Sequence, residues 1–421
     1  MERILSTLDG CRREVKITLT GNELQPHYNE AYERARAGIS LPGFRKGKVP
    51  VSIVKQRFGR EVEAEALETI ADSEFRAFAQ AEKIPVVGHP ALIDLDKTPD
   101  GVTFTIAFEV MPEIELGDYR GLVVNRPVRE ITESDVEEEL DRIRLRAASF
   151  EPAEQVTDTQ FVVSVTLREL DAESGVPMIG GESVEEKVYV DDDQVDMHLR
   201  NSLMDRKVGD TFTYVGETQD ENAQPPTYQV TVTDIQQVVP AELTNEFAEL
   251  ITGGKITSTE ELREDIGRQL AAYFERASRS TVENQIVDQL VNAHTFDVPD
   301  SLVHSVVHQL FDDFKARNQG APGLDQISAH DVEHEFKPSA ERITRWELIR
   351  ARIIDAEGIE LTDDDIKAAS ERYGVTEEQL RMVMRQNKQI EDQIMAEKVM
   401  NVLIDYAVIN DVNAGTEETV V

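Results

Sequence analysis

The first 112 residues alternate between patterns typical of strands and patterns typical of helices. Within Arg12–Leu19 the alternating residues Val15, Ile17 and Leu19 are apolar, and in Val102–Val110 every second residue is apolar, which predicts strands with one buried face. Glu23–Ala37 is predicted to be a helix, and Leu67–Phe78 repeats apolar residues at the spacing of one buried helix face. This order of elements predicts a small α+β domain over residues 1–112.

Residues 113–150 connect this domain to the next. Pro127 interrupts regular structure, which favours an extended chain around it. Thr132 followed by Asp135 is typical of a helix N-cap with an acidic first turn. A charged helix is therefore predicted from this point to about Ala148.

Residues 151–238 are rich in strand patterns. Phe161–Leu167 and Thr227–Val232 combine β-branched residues with alternation, which predicts two strands. Glycines that favour turns, such as Gly175 and Gly209, separate the strand-like runs. The segment is predicted to be a β-rich domain with its own strands and turns.

Helical spacing dominates residues 239–412. Ser258 with Glu261 three positions later is the pattern of a capping box, followed by apolar residues at helical intervals. Val298–Ser301 is predicted to begin another helix, because proline suits a helix start. The chain is predicted to stay helical up to residues 413–421, which have no periodicity and are expected to form a mobile tail.

Composition adds limits to this picture. The 421 residues are 40% hydrophobic and 30% charged, with a formal net charge of −38, which disfavours general nucleic-acid binding. No apolar run is long enough to cross a membrane, and Met1–Leu5 lacks the zones of a signal peptide. Cys11 is the only cysteine, so no intrachain disulfide can form. We therefore expect a cytoplasmic protein without a membrane partner.

One short stretch reverses the sign of the charge. It reads Gly43-Phe44-Arg45-Lys46-Gly47-Lys48-Val49-Pro50. No acidic residue occurs from Arg34 to Arg60, and the glycines and prolines of the stretch predict a loop. Three cations beside an apolar Phe44 suit contact with RNA phosphate and with a nearby acidic or apolar protein surface. An ordinary solvated basic turn is the alternative.

The stretch resembles the ribosome-docking signature of the trigger factor family, bacterial chaperones that associate with ribosomes. The resemblance implies these ribosome-binding residues: Gly43, Phe44, Arg45, Lys46, Gly47, Lys48 and Pro50. The order of segments is also similar to the family: a ribosome-binding domain at 1–112, a linker packing on the C-terminal body at 113–150, an isomerase-like head at 151–238, a helical chaperone body at 239–412 and a flexible tail at 413–421. The expected fold is therefore α+β multidomain, with a small α+β ribosome-docking domain, an inserted β-rich FK506-binding-like head and an all-helical C-terminal body.

The resemblance also implies a function. The family contains ATP-independent chaperones that bind the large ribosomal subunit near the exit tunnel, through ribosomal protein and RNA. There they bind unfolded nascent polypeptides, keep them open, and assist folding and protein export, with family links to cell division. A cytoplasmic, partly ribosome-associated protein is expected, with a possible homodimer off the ribosome.

Whether the head is an enzyme depends on two loops. Family members with prolyl isomerase activity carry an Ile-Pro-Gly-Phe-Glu turn and a later loop rich in Phe, Pro and Tyr. The first position here is Asp196–Leu203, without Pro-Gly or the aromatic, and the second is Thr218–Pro226, which is polar and acidic. Because an acidic loop does not exclude water from a peptide bond, the pocket is predicted to be largely lost. No catalytic residue is assigned.

Two histidine pairs raise the question of a metal. His304 with His308, and His330 with His334, stand at the spacing that can ligate zinc on one helix face. Such pairs are common in helices and no cysteine is near, so no metal is expected. Gly253-Gly254 lacks the strand and upstream glycine of a phosphate-binding loop, so no nucleotide or other cofactor is expected.

The helical body contains the candidate client-binding residues. Methionine adapts to varied surfaces, and aromatic residues occur among charges on one predicted helix. The candidates are Phe311, Phe314, Met382, Met384 and Met395. Ordinary core packing is the alternative for each. Two other functions stay open: a peptidyl-prolyl isomerase acting on nascent chains, and a ribosome- or RNA-binding assembly factor without client activity.

Overall fold

The computed structural model describes residues 2–42, 44–45, 47–171, 176, 183–216, 225–319 and 327–414. The chain divides into two compact units: Met1–Arg126 with Ser280–Val412, and Pro127–Arg279 with Asn413–Val421. Sheets alternate with helices up to the middle of the chain, and helices dominate after it, which confirms the predicted α+β multidomain class. The division into five segments stays a prediction.

The described residues form eleven strands and eleven helices. The strands are β1 Glu2–Thr7, β2 Arg12–Thr20, β3 Val86–Thr98, β4 Gly101–Val110, β5 Val123–Val128, β6 Ser149–Pro152, β7 Phe161–Glu169, β8 Val184–Tyr189, β9 Thr211–Val215, β10 Thr227–Val239 and β11 Val408–Asn413. The helices are α1 Gly21–Gly38, α2 Val51–Glu82, α3 Glu133–Arg146, α4 Met197–Leu203, α5 Asn245–Thr252, α6 Thr259–Ala293, α7 Asp300–Arg317, α8 Ala329–Glu357, α9 Asp363–Tyr373, α10 Glu377–Gln386 and α11 Lys388–Tyr406.

An antiparallel sheet of order β1-β2-β4-β3 begins the first unit. The predicted alternation is confirmed, since Ile17 of β2 lies opposite Phe104 of β4 and both side chains are fully buried. Leu67, Ile70 and Phe75 of α2 pack against these strands in one core. The sheet and α2 therefore form a platform from which the loop between α1 and α2 extends.

The helical part of the first unit surrounds β5. Val124 of β5 is buried among apolar residues of α6, α8 and α11. The sequence predicted helix up to residue 412, but α11 ends at Tyr406 and Val408–Asn413 forms β11, which pairs with β5. Val408 N donates to Leu122 O at 2.8 Å. The β-branched residues after Ala407 favour a strand once an open strand edge is available.

The second unit contains the predicted β-rich head. Its sheet has the order β6-β10-β7-β8, and β9 also pairs with β10. A separate core lies on this sheet and includes Val163, Val230 and Leu203, all fully buried. Ser149 at the start of β6 lies opposite Val239 at the end of β10, so the chain enters and leaves the head at neighbouring positions.

The same unit contains α3 and the helices that follow the head. The predicted cap is confirmed, because Thr132 and Asp135 form a capping box in which the Thr132 backbone N donates to the carboxylate at 2.7 Å. Leu140 of α3 is fully buried against Leu262 and Ile266 of α6. The linker helix therefore packs on helices that come more than one hundred residues later.

Candidate functional site

Residues 39–50 connect α1 to α2 and contain the predicted basic loop. A small apolar cluster lies at the base of this loop, formed by buried Val49 with Tyr32 of α1 and Val54 of α2. Ile39 and Leu41 pack on the same cluster from the other end of the connection. Packing of both ends on this cluster fixes where the loop leaves the helix pair.

Two consecutive turns shape the loop. Phe44 N donates to Leu41 O at 3.0 Å, and Lys48 N donates to Arg45 O at 2.9 Å. Gly47 has a φ of +77°, a left-handed conformation that costs residues with a Cβ atom free energy. Glycine at this position therefore allows the second turn to close.

The middle of the loop is exposed. Phe44 leaves 40% of its surface accessible, which is unusual for a large apolar side chain inside a basic stretch. The other predicted residues that are exposed are Arg45, Lys48 and Pro50. Gly43 and Lys46, which belong to the same prediction, lie outside the described residues. The described part of the loop thus presents an aromatic ring beside two cations.

The loop cations lack carboxylate partners among the residues that the structure describes. Arg34 and Arg36, on α1, form ion pairs with glutamates of the same helix, but Arg45 and Lys48 form none. Residues 1–112 contain 15 Lys and Arg against 17 Asp and Glu, so nearly all of the net charge of −38 lies beyond them. Cations without partners on a nearly neutral domain are suited to binding phosphate.

A second contact fixes the helices beneath the loop. The Tyr32 hydroxyl donates a hydrogen bond to Glu63 of α2, and Lys55 Nζ lies 5.6 Å from the centroid of the Tyr32 ring. Burial raises the pKa of Tyr32, and the bond to Glu63 raises it further. The neutral phenol therefore ties α1 to α2 at all physiological pH values.

The head contains a cleft of about 730 Å³ beside α4. Its aromatic lining consists of Tyr189, Tyr214 and Tyr228, of which the last two stack with ring centroids 6.4 Å apart. Sequence reasoning missed these tyrosines. A usable signal was present, because Tyr214 and Tyr228 occupy strands that pair, and they lie directly opposite each other.

Charged groups line the same cleft. Its acidic residues are Glu169, Glu186, Asp192 and Asp196. Asp196 caps α4 by accepting from His198 N at 2.6 Å and Leu199 N at 2.9 Å. Leu199, in the stretch where the sequence lacked an aromatic residue, is part of the cleft lining. Residues 218–224 of the predicted acidic loop lie outside the described residues. A carboxylate-lined cleft holds water, which opposes the desolvation that prolyl rotation needs.

The predicted client-binding residues differ in exposure. Phe314 of α7 is 39% exposed and Met382 of α10 is 57% exposed. Phe311, Met384 and Met395 are half-buried, the first two against neighbouring helices. Further exposed apolar residues that the sequence did not single out lie near Met382 in the chain: Tyr373, Val375 and Val383. The turn between α9 and α10 therefore presents more apolar surface than the methionines alone predicted.

The histidine pair of α7 lies on the surface. His304 Nε2 and His308 Nε2 are 2.9 Å apart, and His304 Nδ1 lies 3.3 Å from Glu333 of α8. Within the described residues, no three His, Cys, Asp or Glu side chains gather as a metal site. Among the same residues, no helix is long and apolar enough to cross a membrane.

Comparison with known proteins gives consistent matches. The family model described as bacterial trigger factor protein matches residues 1–143, and the model of the bacterial trigger factor C-terminus matches residues 258–405. A trigger factor of Salinibacter ruber is 27% identical over 96% of this chain and 93% of its own length. A trigger factor of Chlorobaculum parvum is 28% identical over 96% of both chains.

A solved structure also aligns with the chain. It comes from work on promiscuous substrate recognition in folding and assembly activities of the trigger factor chaperone. The alignment has a TM-score of 0.48 at 16% identity, over 96% of this chain and 99% of the other.

Proposed function

The chain belongs to the trigger factor family, and from this premise we propose that it is an ATP-independent chaperone that associates with ribosomes. It binds the large subunit near the exit tunnel and receives unfolded nascent polypeptides there. It keeps them open, assists their folding and export, and releases them by dissociation. The observation that carries the proposal is the anchored loop with exposed Phe44, Arg45 and Lys48.

The loop suits a mixed surface of RNA and protein. Arg45 and Lys48 supply charge for RNA phosphates, while Phe44 supplies an apolar contact for ribosomal protein. Phosphate contacts on an acidic protein must be concentrated where carboxylates are absent, as they are from Arg34 to Arg60. Binding should therefore be confined to this loop and should weaken with salt.

Client binding belongs to the helical body in this proposal. Exposed Phe314 and Met382 supply scattered apolar contacts, each weak enough for a client to dissociate. The acidic surface around them favours basic or apolar segments over acidic ones. The protein would act in the cytoplasm, partly on ribosomes, and form a homodimer when free.

Cosedimentation with ribosomes, together with aggregation suppression in the absence of ATP, tests the proposal. Changing Phe44, Arg45 and Lys46 to Ala should abolish cosedimentation and leave aggregation suppression unchanged. The matched control removes two exposed cations of the same domain, Arg76 and Lys97, and should still bind. Undiminished binding of the triple variant would overturn the assignment of the loop, and absence of suppression by the unmodified protein would overturn the chaperone function.

A salt titration separates ionic docking from apolar docking. Phosphate contacts give a log–log slope of roughly −0.7 to −0.9 for each phosphate neutralised. The slope for Arg45→Ala should be shallower than that of the unmodified protein by about the amount that one phosphate contact contributes. Phe44→Ala should lower affinity at every salt concentration without changing the slope.

A further inference from the structure

The first turn of α7 is capped from a distant part of the chain. Its N-cap residue is Pro299, which makes no side-chain cap, so the first backbone N–H groups of α7 need another acceptor. Glu109 of β4 supplies it: one carboxylate oxygen accepts from Asp300 N at 3.0 Å and the other from Ser301 N at 2.9 Å. A negative charge at a helix N-terminus also interacts favourably with the helix dipole.

Other contacts surround this cap. Arg12 Nη2 lies 2.5 Å from Asp300 Oδ2, and the Cys11 thiol donates to Asp297 O at 3.1 Å. These contacts come from Arg12, the first residue of β2, and from Cys11 just before it, whereas Glu109 comes from the end of β4. Two separate segments of residues 1–112 therefore converge on residues 297–301. We name this group of contacts the α7 latch.

Two glycines show how closely the surfaces approach. A Cβ atom at Gly88 would lie 2.5 Å from Ser301 Oγ, and one at Gly10 would lie 3.0 Å from Asp297 Cβ. Both glycines also have positive φ, +68° and +50°. Ser301 Oγ is buried without a hydrogen-bond partner among the described atoms. Residues 1–112 are thus in close contact with residues 297–301, and the charged interactions between them are made by Glu109 and Arg12.

We propose that the α7 latch is a conformational device that holds residues 1–112 on the helical body and opens when Glu109 loses its hold on α7. Closed, it fixes the orientation of α7, which also carries Phe314, relative to the sheet and loop of the first 112 residues. Open, it frees those residues to move while both parts keep their separate cores. The link to client binding through Phe314 rests on the proposed function, but the latch itself does not.

Salt is the natural means of opening. Both members of the Arg12–Asp300 pair are more than half exposed, so dissolved ions screen their attraction. The Glu109 interaction with the helix N-terminus is screened in the same way. The latch should therefore be closed at low ionic strength and open increasingly as the salt concentration rises.

Hydrogen exchange of the full chain tests the cap directly. Glu109→Gln keeps the side-chain shape but replaces one acceptor by an N–H donor that faces a helix N–H. Exchange at Asp300 and Ser301 should then rise about tenfold or more, the effect of losing a hydrogen bond to a charged group. The matched control is Ser301→Ala, which removes the unpartnered hydroxyl and should leave exchange unchanged. Unchanged exchange in Glu109→Gln would overturn the cap.

Distance measurements test the opening. Spin labels at Asp96 of β3 and Asp313 of α7, both exposed, should give one narrow distance distribution at low salt. The distribution should broaden in Glu109→Gln, and in the unmodified chain at about 1 M salt, where the Debye length is about 3 Å. The labels would be attached to cysteines introduced at these two positions in a Cys11→Ser background, which removes the native cysteine. Serine at position 11 keeps a hydrogen-bond donor to Asp297 O. A distribution that stays narrow under both conditions would rule out the latch, and neither measurement involves ribosomes or clients.

Discussion

Tyr119 donates a hydrogen bond of 2.5 Å to Glu357, across 238 positions of sequence. Arg120 Nη2 lies 2.6 Å from the same carboxylate oxygen, and the Tyr406 hydroxyl donates to the other at 3.2 Å. The Arg120 guanidinium also lies 4.3 Å from the centre of the Tyr406 ring. These four side chains join the segment before β5 to the ends of α8 and α11.

The network should make this junction sensitive to pH. Hydrogen bonds from Tyr119 and then Arg120 lower the pKa of Glu357, and the bond to Glu357 raises the pKa of Tyr119. The contribution of Glu357 to stability is therefore complete above the pKa of an unfolded glutamate, about 4.3, and is lost as pH falls through the lowered pKa of the folded state. The contribution of Tyr119 to stability is complete below the pKa of an unfolded tyrosine, about 10, and is lost as pH rises through the raised pKa of the folded state.

Exchange protection of the Gly121 amide reports on this network, because Gly121 N donates to Tyr406 O at 2.9 Å. In the unmodified protein, protection corrected for the intrinsic exchange rate should fall as pH drops through the lowered pKa of Glu357. Glu357→Gln should lower protection at pH 7 and flatten this dependence. Glu347→Gln, which alters the pair of exposed Glu347 with Arg350 on the same helix, should change neither. A Glu357→Gln variant with the original pH profile would contradict the role of the network.

Gly47→Ala should weaken docking more than its small size suggests. The φ of +77° costs an alanine about 1–2 kcal/mol, so the second turn of the loop should open in part. Ribosome affinity should fall by roughly 5–30-fold while the melting temperature stays unchanged. Gly38→Ala is the control, since an added Cβ there meets no atom within 4 Å. Equal affinities of the two variants would show that the turn is not needed for docking.

Exposure separates client contacts from core packing among the methionines. The double change Met382→Ser and Val383→Ser should reduce aggregation suppression. It should keep the free energy of unfolding within about 0.5 kcal/mol of that of the unmodified protein, because both residues are exposed. Met400→Ser should instead destabilise the protein by roughly 2–5 kcal/mol, since Met400 is buried in the core around β5. Suppression that survives the double change would place the client contacts elsewhere.

The sequence predicted the parts of the structure that local chemistry determines. Thr132 with Asp135 caps a helix where its spacing indicated, because a capping box needs only residues three apart. The loop around Phe44 was predictable for the same reason, since glycine and proline exclude regular structure wherever they cluster. Repeated apolar spacing likewise placed α2 and β4.

Features that depend on distant residues could not be predicted in this way. Strand β11 forms because β5 offers it an edge, and no local pattern in Val408–Asn413 reveals that edge. Glu109 caps α7 from 191 positions away, so its sequence neighbourhood shows only the end of a strand. The stacked Tyr214 and Tyr228 were visible as strand residues, but their opposition depends on the register between β9 and β10.

The head should show little prolyl isomerase activity on a short proline peptide. The cleft beside α4 has aromatic walls in Tyr189, Tyr214 and Tyr228, but Asp192 and Asp196 keep its lining hydrated. A rate near that of the uncatalysed reaction is expected, measured beside a competent FK506-binding domain. If catalysis is found and Tyr228→Ala removes it, the cleft is an active site and the prediction is wrong.

Removal of the head should leave a folded chaperone. The head has its own core around Val163 and Val230, and Ser149 lies opposite Val239 where the chain enters and leaves it. Residues paired in an antiparallel sheet are about 5 Å apart, so two or three glycines can join Phe150 to Val239 after deletion of residues 151–238. The packing of Leu140 against Leu262 and Ile266 does not involve the head core and should persist.

The deletion variant should remain soluble, bind ribosomes with unchanged affinity and suppress aggregation of an unfolded client. Far-ultraviolet circular dichroism should show a higher helical fraction, because α4 is the only helix among the described residues of the deleted segment. Leu140→Ala in the deletion background supplies the contrast: it removes a fully buried side chain and should cost roughly 2–5 kcal/mol. A deletion variant that is folded and binds ribosomes, but no longer suppresses aggregation, would place the client site in the head and refute the assignment of clients to the helical body.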